Sequence, residues 1–287
     1  MPRLTVMMPA MNARDTISAA LGSTLRAMPP DSELIVFDDG STDDTAAQAE
    51  RVRDSRLRII RSDENVGGGE ARQRIMSASD SELVASMDAD DISFPWRFRA
   101  QFPQLRGADV SFGGTIHFQT EPFRVRPSSP LAYSPHDSAL ALLVHNPFAH
   151  PTLLARRKSI TDAGGYSNLR RAQDYELWLR MARNGARITR TPIPVLGYRR
   201  SSSQVSKDAE YSTSVRRDPT LWATYLDHTR SFFSVPNSYA IAPPESLPVQ
   251  ERQRIYRDLR QAITTMSRLN RGRYQRYLRE NRATLLQ

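Results

Sequence analysis

Four short apolar runs, residues 4–8, 33–37, 57–60 and 83–87, alternate with segments patterned for helices. The first helical pattern covers residues 15–27, with apolar positions at Ile17, Ala20, Leu21 and Leu25; residues 43–52 and 70–78 supply the next two. Strands joined through helices run parallel, because a tight hairpin cannot return the chain in the same direction. The alternation therefore predicts an α/β fold: a Rossmann-like, mostly parallel sheet flanked by helices. Ligands of such sheets bind beyond the carboxyl ends of the strands. The segments that follow each run are thus where chemistry is expected.

The second half is less regular. A helix is expected from Pro95 to about Leu105, a strand over 109–118, and a Pro- and Ser-rich loop over 121–135. A short helix over 138–144 and a strand over 152–155 follow. Residues 174–184 read as a helix with Leu177, Trp178, Met181 and Ala182 on one side; residues 187–189 and 195–198 read as two strands, and 201–206 as a polar loop. Beyond position 208 the pattern is helical, which divides the chain into a ligand-binding and catalytic domain, 1–207, and a helical, basic extension, 208–287.

With 39% hydrophobic and 25% charged residues the chain has the composition of a globular protein. No apolar run approaches the roughly 18 residues a membrane span needs. The amino-terminal segment enters strand-like sequence directly, so no signal peptide is expected there. The absence of cysteine excludes disulfides and thiolate metal sites, and cytoplasmic residence is the default expectation. The net charge of +9 is concentrated at one end: ten arginines stand against three acidic residues between Glu251 and Gln287. Such a tail meets nucleic acid, an anionic membrane surface or an acidic partner, or is a solvated helical face.

Every run in the first half stops in polar residues: Pro9-Ala10-Met11-Asn12, Asp38-Asp39-Gly40-Ser41-Thr42-Asp43, Asn65 to Arg72, and Asp88-Ala89-Asp90-Asp91. Asp43 and Asp44 have the place of helix caps. The cluster at 88–91 is costly unless a cation or donors sit among its carboxylates. Mg²⁺ or Mn²⁺ bridging a carboxylate to substrate phosphates would relieve it; the plain alternative is a turn with a cap. Gly67, Gly68 and Gly69 permit close backbone approach, and Arg72 can neutralise a phosphate. No G-x-G-x-x-G follows the first run and no Gly-Lys-Ser or Gly-Lys-Thr occurs, which counts against a dehydrogenase and a P-loop NTPase.

Together these segments resemble the inverting, GT-A fold glycosyltransferases of family 2, over roughly residues 3–206. Pro9–Asn12 resembles the family's opening Pro-x-x-Asn, Asp38-Asp39-Gly40-Ser41 its nucleotide-base motif, and Asn65–Arg72 its Asn-x-Gly-x-x-x-Ala-Arg. Residues 87–91 match its Asp-x-Asp region, with Pro95, Arg97 and Gln101 behind it. Residues 173–178 resemble its Glu-Asp-Tyr-x-Leu-Trp element. The resemblance implies a nucleotide-sugar donor, most often a UDP-sugar, a Mn²⁺ or Mg²⁺ ion, and a saccharide or lipid-linked acceptor. It implies that Pro9, Ala10 and Asp39 hold the base, with Asn12, Asn65, Gly67 and Ala89 around the donor. Arg72 would lie by the diphosphate or shape the pocket, Asp88 would face the ribose, Asp90 would hold the metal, and Asp174 would be the catalytic base. A helix dipole at the start of its helix would favour the ionised form of Asp174.

Two departures stand out. Gln173 replaces the Glu that often precedes the catalytic Asp, and Tyr198-Arg199-Arg200 lacks the His of the family's Arg-x-His, leaving Arg199 or Arg200 as candidates for the diphosphate. His150 falls where the family places donor-sugar or acceptor contacts, although a lone histidine also serves as packing. Trp96 and Trp178 are read as core, and Asp91 as a partner behind the metal ligand. In the tail, Ile255, Leu259, Ala262, Ile263 and Met266 keep helical spacing between arginines. That fits an interfacial helix making peripheral membrane contact, or one packed on its own domain or on a second subunit. A sugar nucleotidyltransferase would want a Gly-rich basic loop after the first strand, which Pro9–Asn12 does not supply. Nucleic-acid binding is not expected, since Tyr256, Tyr274 and Tyr277 make no evident stacking platform.

Overall fold

The computed structural model describes residues 2–120, 122–200, 218–233 and 249–281. The first half follows the expected alternation. Strands β1 (Leu4–Ala10), β2 (Ser32–Asp39), β3 (Leu57–Ser62) and β4 (Leu83–Ser86) are connected by helices α1 (Ile17–Ala27), α2 (Thr45–Glu50) and α3 (Gly68–Ser77). They lie in the order β3-β2-β1-β4, all parallel. Both faces of this half are buried. Leu4, Val6, Met8 and Ala10 of β1 enter one core with Leu21 of α1, while Met7 enters the other with Ile75 of α3. Alternation of faces along one strand, with apolar residues on both, is what a helix-covered sheet demands.

The second half makes the sheet mixed. After β5 (Ile92–Ser93), α4 (Arg97–Gln101) turns into a 3₁₀ stretch at Phe102–Arg106, where Pro103 cannot donate to an α-helical ladder. Then come β6 (Val110–Gln119), β7 (Arg124–Pro127), α5 (Pro135–Leu142), β8 (Leu154–Arg156), α6 (Arg157–Asp162), α7 (Gln173–Arg183) and β9 (Ile188–Arg199). The sheet continues from β4 as β8-β6-β9-β5. Strand β8 is antiparallel to both β4 and β6, and β9 is parallel to β6 but antiparallel to β5. The parallel arrangement thus holds for the first four strands and gives way where β8 enters from the opposite end.

Three local expectations change. The stretch expected as a loop over 121–135 contains β7, an edge strand paired with β6; its arginines and proline disguise it, and such residues keep an edge from pairing further. The two strands expected over 187–198 are one, β9, with an irregularity opposite Gly114 that takes up Pro192 and Pro194. A Cβ on Gly113 would collide with Val195, so the two strands approach this closely only because glycine stands there. Trp178 is fully buried as expected, whereas Trp96 is 44% exposed and donates its Nε1 hydrogen to the carbonyl of Pro194 at 2.8 Å.

The expected boundary near 208 falls outside the described residues. Beyond it lie α8 (Pro219–Phe233), α9 (Val249–Ile263) and α10 (Arg268–Glu280). Leu221 of α8 is buried in the same core as Trp178. Leu259, Ile263, Met266, Tyr274 and Leu278 form a third core with Tyr133 and with Leu140 of α5. The apolar face of the basic extension is therefore spent on its own chain. No described helix is long and apolar enough to cross a membrane.

Candidate active site

The carboxyl ends of β1, β2 and β4 open into a cavity of about 1110 Å³. All thirteen site residues named from the sequence line it, from Pro9 and Asp39 at one end to Asp174 and Arg199. Of these, ten stand at or before Asp90, and register brings the ends of β1, β2 and β4 together, since Ala10 pairs with Asp38 and Met7 with Ser86.

Asp39 is buried, and its two carboxylate oxygens accept the amide hydrogens of Val66 and Gly67 at 2.7 and 2.9 Å. It therefore fastens the loop before α3 to the end of β2, with lone pairs left for one further donor. Gly67 has φ +87°, which a side chain would disfavour. Asn12, itself left-handed at φ 48°, accepts the Thr42 amide at 2.9 Å and so ties the β1 loop to the β2 loop. Asn65 lies beside Met11.

Arg72 is 4% exposed and is committed to protein. It donates to the Gly68 carbonyl at 2.9 Å, to Ser86 Oγ at 3.1 Å and to Asp88 Oδ1 at 2.6 Å. This guanidinium lines the cavity and orients Asp88. Arg199 likewise serves the acidic turn. Its amide donates to Asp91 Oδ1 at 2.8 Å and its Nε to the Asp90 carbonyl at 2.8 Å.

Asp88, Asp90 and Asp91 crowd one another. Burial and the neighbouring Asp88 charge push the Asp90 carboxyl up to about 6. Burial, Asp88 and Asp90 raise Asp91 well above the usual carboxylate range, and Asp91 Oδ2 is buried without a partner. An undercompensated set of hard oxygen donors suits a hard divalent cation. No group of three or more His, Asp or Glu side chains poised for a metal occurs among the described residues. The residues fit an ion of the Mg²⁺ or Mn²⁺ kind, held by Asp90 and completed by substrate oxygens and water. Below the cluster Arg97 is wholly buried, donating to the carbonyls of Ser86 and Leu153 at 2.7 and 3.2 Å, and burial holds its pKa down to about 10. Its charge is the buried counterweight to Asp91 and Asp88. Replacing Arg97 by Met is expected to destabilise the fold by about 3–5 kcal/mol, because the acids above it stay behind uncompensated; urea unfolding measures this.

Asp174 is the second residue of α7, following Ala172 in a left-handed conformation at φ 55°. Such a conformation costs alanine about 1–3 kcal/mol and is held here by its surroundings. Asp174 Oδ2 accepts from Asn146 Nδ2 at 3.0 Å. Burial raises its pKa, with the Tyr175 amide and Asn146 opposing. The helix-dipole expectation is thereby corrected in its net effect: desolvation outweighs the helix end. His150 is also in the cavity wall, but its Nε2 is 3.0 Å from Tyr166 Oη, its ring stacks on Tyr166 and meets Trp178 edge-on, and burial keeps it neutral. It is held as packing.

Asn146 escaped the sequence reading, its only signal being the turn-forming Asn-Pro pair. It sits just beyond α5, whose final carbonyls would otherwise lack donors. Tyr175 of α7 donates to the Leu142 carbonyl at 2.5 Å and Tyr225 of α8 to that of Leu143 at 2.8 Å. His145 meets the rings of Tyr274 and Tyr277 of α10 at 5.3 and 5.1 Å. Three helices thus fix the segment that fixes Asp174.

This architecture is the GT-A fold of nucleotide-sugar-dependent glycosyltransferases. It aligns with TarS of Staphylococcus aureus, solved with UDP-GlcNAc, at a TM-score of 0.62 and 18% identity, covering 94% of this chain and 83% of that one. The chain belongs to glycosyl transferase family 2, whose pattern matches residues 5–165. Among curated relatives, the succinoglycan biosynthesis protein ExoU of Rhizobium meliloti is 32% identical over 197 residues, 63% of this chain and 57% of ExoU. The aligned part thus spans little more than half of ExoU. The Escherichia coli enzyme WfaP, a UDP-Glc:α-D-GlcNAc-diphosphoundecaprenol β-1,3-glucosyltransferase, is 26% identical over 72% of this chain and 80% of its own.

Proposed function

We propose that this protein is a metal-dependent, inverting glycosyltransferase that moves a sugar from a UDP-sugar to the hydroxyl of a saccharide or lipid-linked acceptor in polysaccharide synthesis. The observation that carries the reading is the convergence of Asp39, Asp88, Asp90 and Asp174, from two strand ends and one helix end, on one cavity. The family and the names of ExoU and WfaP support the substrate classes.

In this reading the donor lies across the ends of β2, β1 and β4. Asp39 and the loop it fastens receive the base, and Asp88, held by Arg72, faces the ribose. Asp90 would hold Mg²⁺ or Mn²⁺, which when bound offsets the charge that develops on the leaving diphosphate. Asp174 accepts the acceptor hydroxyl's proton as that oxygen bonds to the anomeric carbon and the bond to UDP breaks. Attack from the face opposite UDP inverts the centre, so one base suffices. A base with a raised pKa is better matched to neutral pH than an ordinary carboxylate.

Calorimetric titration of UDP with and without Mn²⁺ tests the donor site. Binding that requires the ion is the expected result. Silence toward UDP, GDP and dTDP under both conditions would remove the nucleotide-sugar reading.

A further inference from the structure

The cleft has two electrostatic halves. Its β2 and β4 ends are acidic, and the cations nearest them are already engaged. The opposite half of the sheet, β6, β7 and β9, is built differently. Register sets His117 of β6 opposite Arg126 of β7 on one side and opposite Tyr198 of β9 on the other. Residues opposite each other across neighbouring strands share a sheet face, and so do residues two apart in one strand. Arg126, His117 and Tyr198 are therefore a row on one face, with Thr115 and Ser128 beside it and Arg200 two residues beyond Tyr198. Thr115, His117, Ser128, Tyr198 and Arg200 all line the cavity.

Among the described residues this row has no ion-pair partner. Among the described residues neither Arg126 nor Arg200 has a side-chain hydrogen bond or ion pair, in contrast to Arg72 and Arg97. His117 Nε2 is 3.1 Å from Thr115 Oγ1, while its Nδ1 is buried with no partner. Burial and the charges of Arg200 and Arg126 depress its pKa, so both guanidinium groups bear on this imidazole. The His117 and Tyr198 rings are 5.1 Å apart. Tyr198, His117 and Arg200 line the same cavity as Asp88, Asp90 and Asp174, which brings that side of the row to the reacting region, while Arg126 stands at its exposed rim on β7.

We infer that the β6–β7–β9 wall is a second anion subsite, in which Arg126, Arg200 and His117 hold a phosphate or diphosphate group carried by the acceptor. The inference rests on the glycosyltransferase reading. A donor spread over the β2, β1 and β4 ends leaves the β6–β9 half for whatever delivers a hydroxyl to Asp174. Two unengaged guanidinium groups and an imidazole with a vacant nitrogen match the oxygens of a phosphate ester, whereas a neutral saccharide would leave both charges unanswered.

The test uses inorganic pyrophosphate as probe and the ring signals of His117 in heteronuclear NMR as readout, on the whole protein saturated with UDP and Mg²⁺. Saturable movement of the His117 signals is expected, with affinity falling about tenfold or more in Arg126→Gln and in Arg200→Gln. UDP binding by calorimetry stays unchanged in Arg126→Gln, whose side chain lies on an exposed edge strand and whose loss leaves the core intact. If UDP with Mg²⁺ alone moves His117 and pyrophosphate adds nothing, the row serves the donor's diphosphate and the inference fails. It fails equally if neither ligand moves His117. Absence of UDP binding would instead strike the underlying reading, and calorimetry reports that separately.

Discussion

Asp174→Asn is expected to lower kcat by about 10²- to 10⁴-fold while UDP affinity holds. The amide keeps the volume of the carboxyl but cannot take the acceptor's proton. In the proposed reading Asp174 meets the acceptor and not the donor, so the loss belongs to turnover and not to donor binding, a split that steady-state kinetics beside calorimetry resolves. The pH profile adds a second check. The base acts only when ionised, and burial raises its pKa, so the acidic limb of kcat lies above the ordinary carboxylate range. Asn146 opposes that shift by donating to Asp174 Oδ2. Asn146→Ala removes the donor and moves the acidic limb further toward neutral pH, whereas a purely structural loss would lower activity evenly across the profile. An acidic limb at the usual carboxylate value in the wild type would contradict the assignment of Asp174 as base.

Asp90→Asn is expected to abolish ion-dependent UDP binding and, in metal-free buffer at pH 7 to 8, to raise Tm by about 2–4 °C. Both effects share one cause. The Asp90 carboxyl titrates near 6 in the folded chain, against 3.8 as the ordinary value. A folded state that binds the proton more tightly gains stability below the lower pKa and loses it as pH rises through the upper one. At neutral pH the ionised side chain therefore opposes folding, and the amide relieves it. Added Mn²⁺ should raise Tm in the wild type and leave Asp90→Asn unmoved. Thermal unfolding with and without the ion measures this; a variant less stable than wild type in metal-free buffer would show that Asp90 is not an uncompensated charge.

The half of the molecule that could be read from the sequence is the half where structure is local. In β1, β2 and β4 the apolar runs are buried on both faces, the crossovers are short, and the polar residues at the strand ends meet because parallel strands end together. Thus Asp39, Asp88 and Asp90 were found by position. What stayed hidden depends on contacts between distant segments. The mixed pairing of β8 and the irregular β6–β9 ladder follow from Gly113, Gly114 and two prolines that look like loop residues until their partners are known. The partners of Arg72, at Gly68, Ser86 and Asp88, come from α3 and the end of β4 and could not be read from its own segment. His150 lines the cavity, and its contacts with Tyr166 and Trp178 could not be read from its own segment. Asn146 carries no motif; its role appears only when α5 and α7 are set side by side.

The tyrosine hydroxyls that close the end of α5 bear on how this chain can be divided. Tyr175 belongs to α7, inside the sheet-bearing part, and Tyr225 to the helices beyond β9, yet they cap adjacent carbonyls four residues or fewer before Asn146. A shortened chain ending just past β9, at Arg200, would keep every residue expected to meet donor, ion or acceptor. It would still lose one cap, the aromatic rings around His145 and the cover over Trp178. Asp174 would be present but unbraced. In this chain the carboxy-terminal helices are no exchangeable appendage, and on the proposed role of Asp174 replacing them would alter turnover through the brace before it altered specificity.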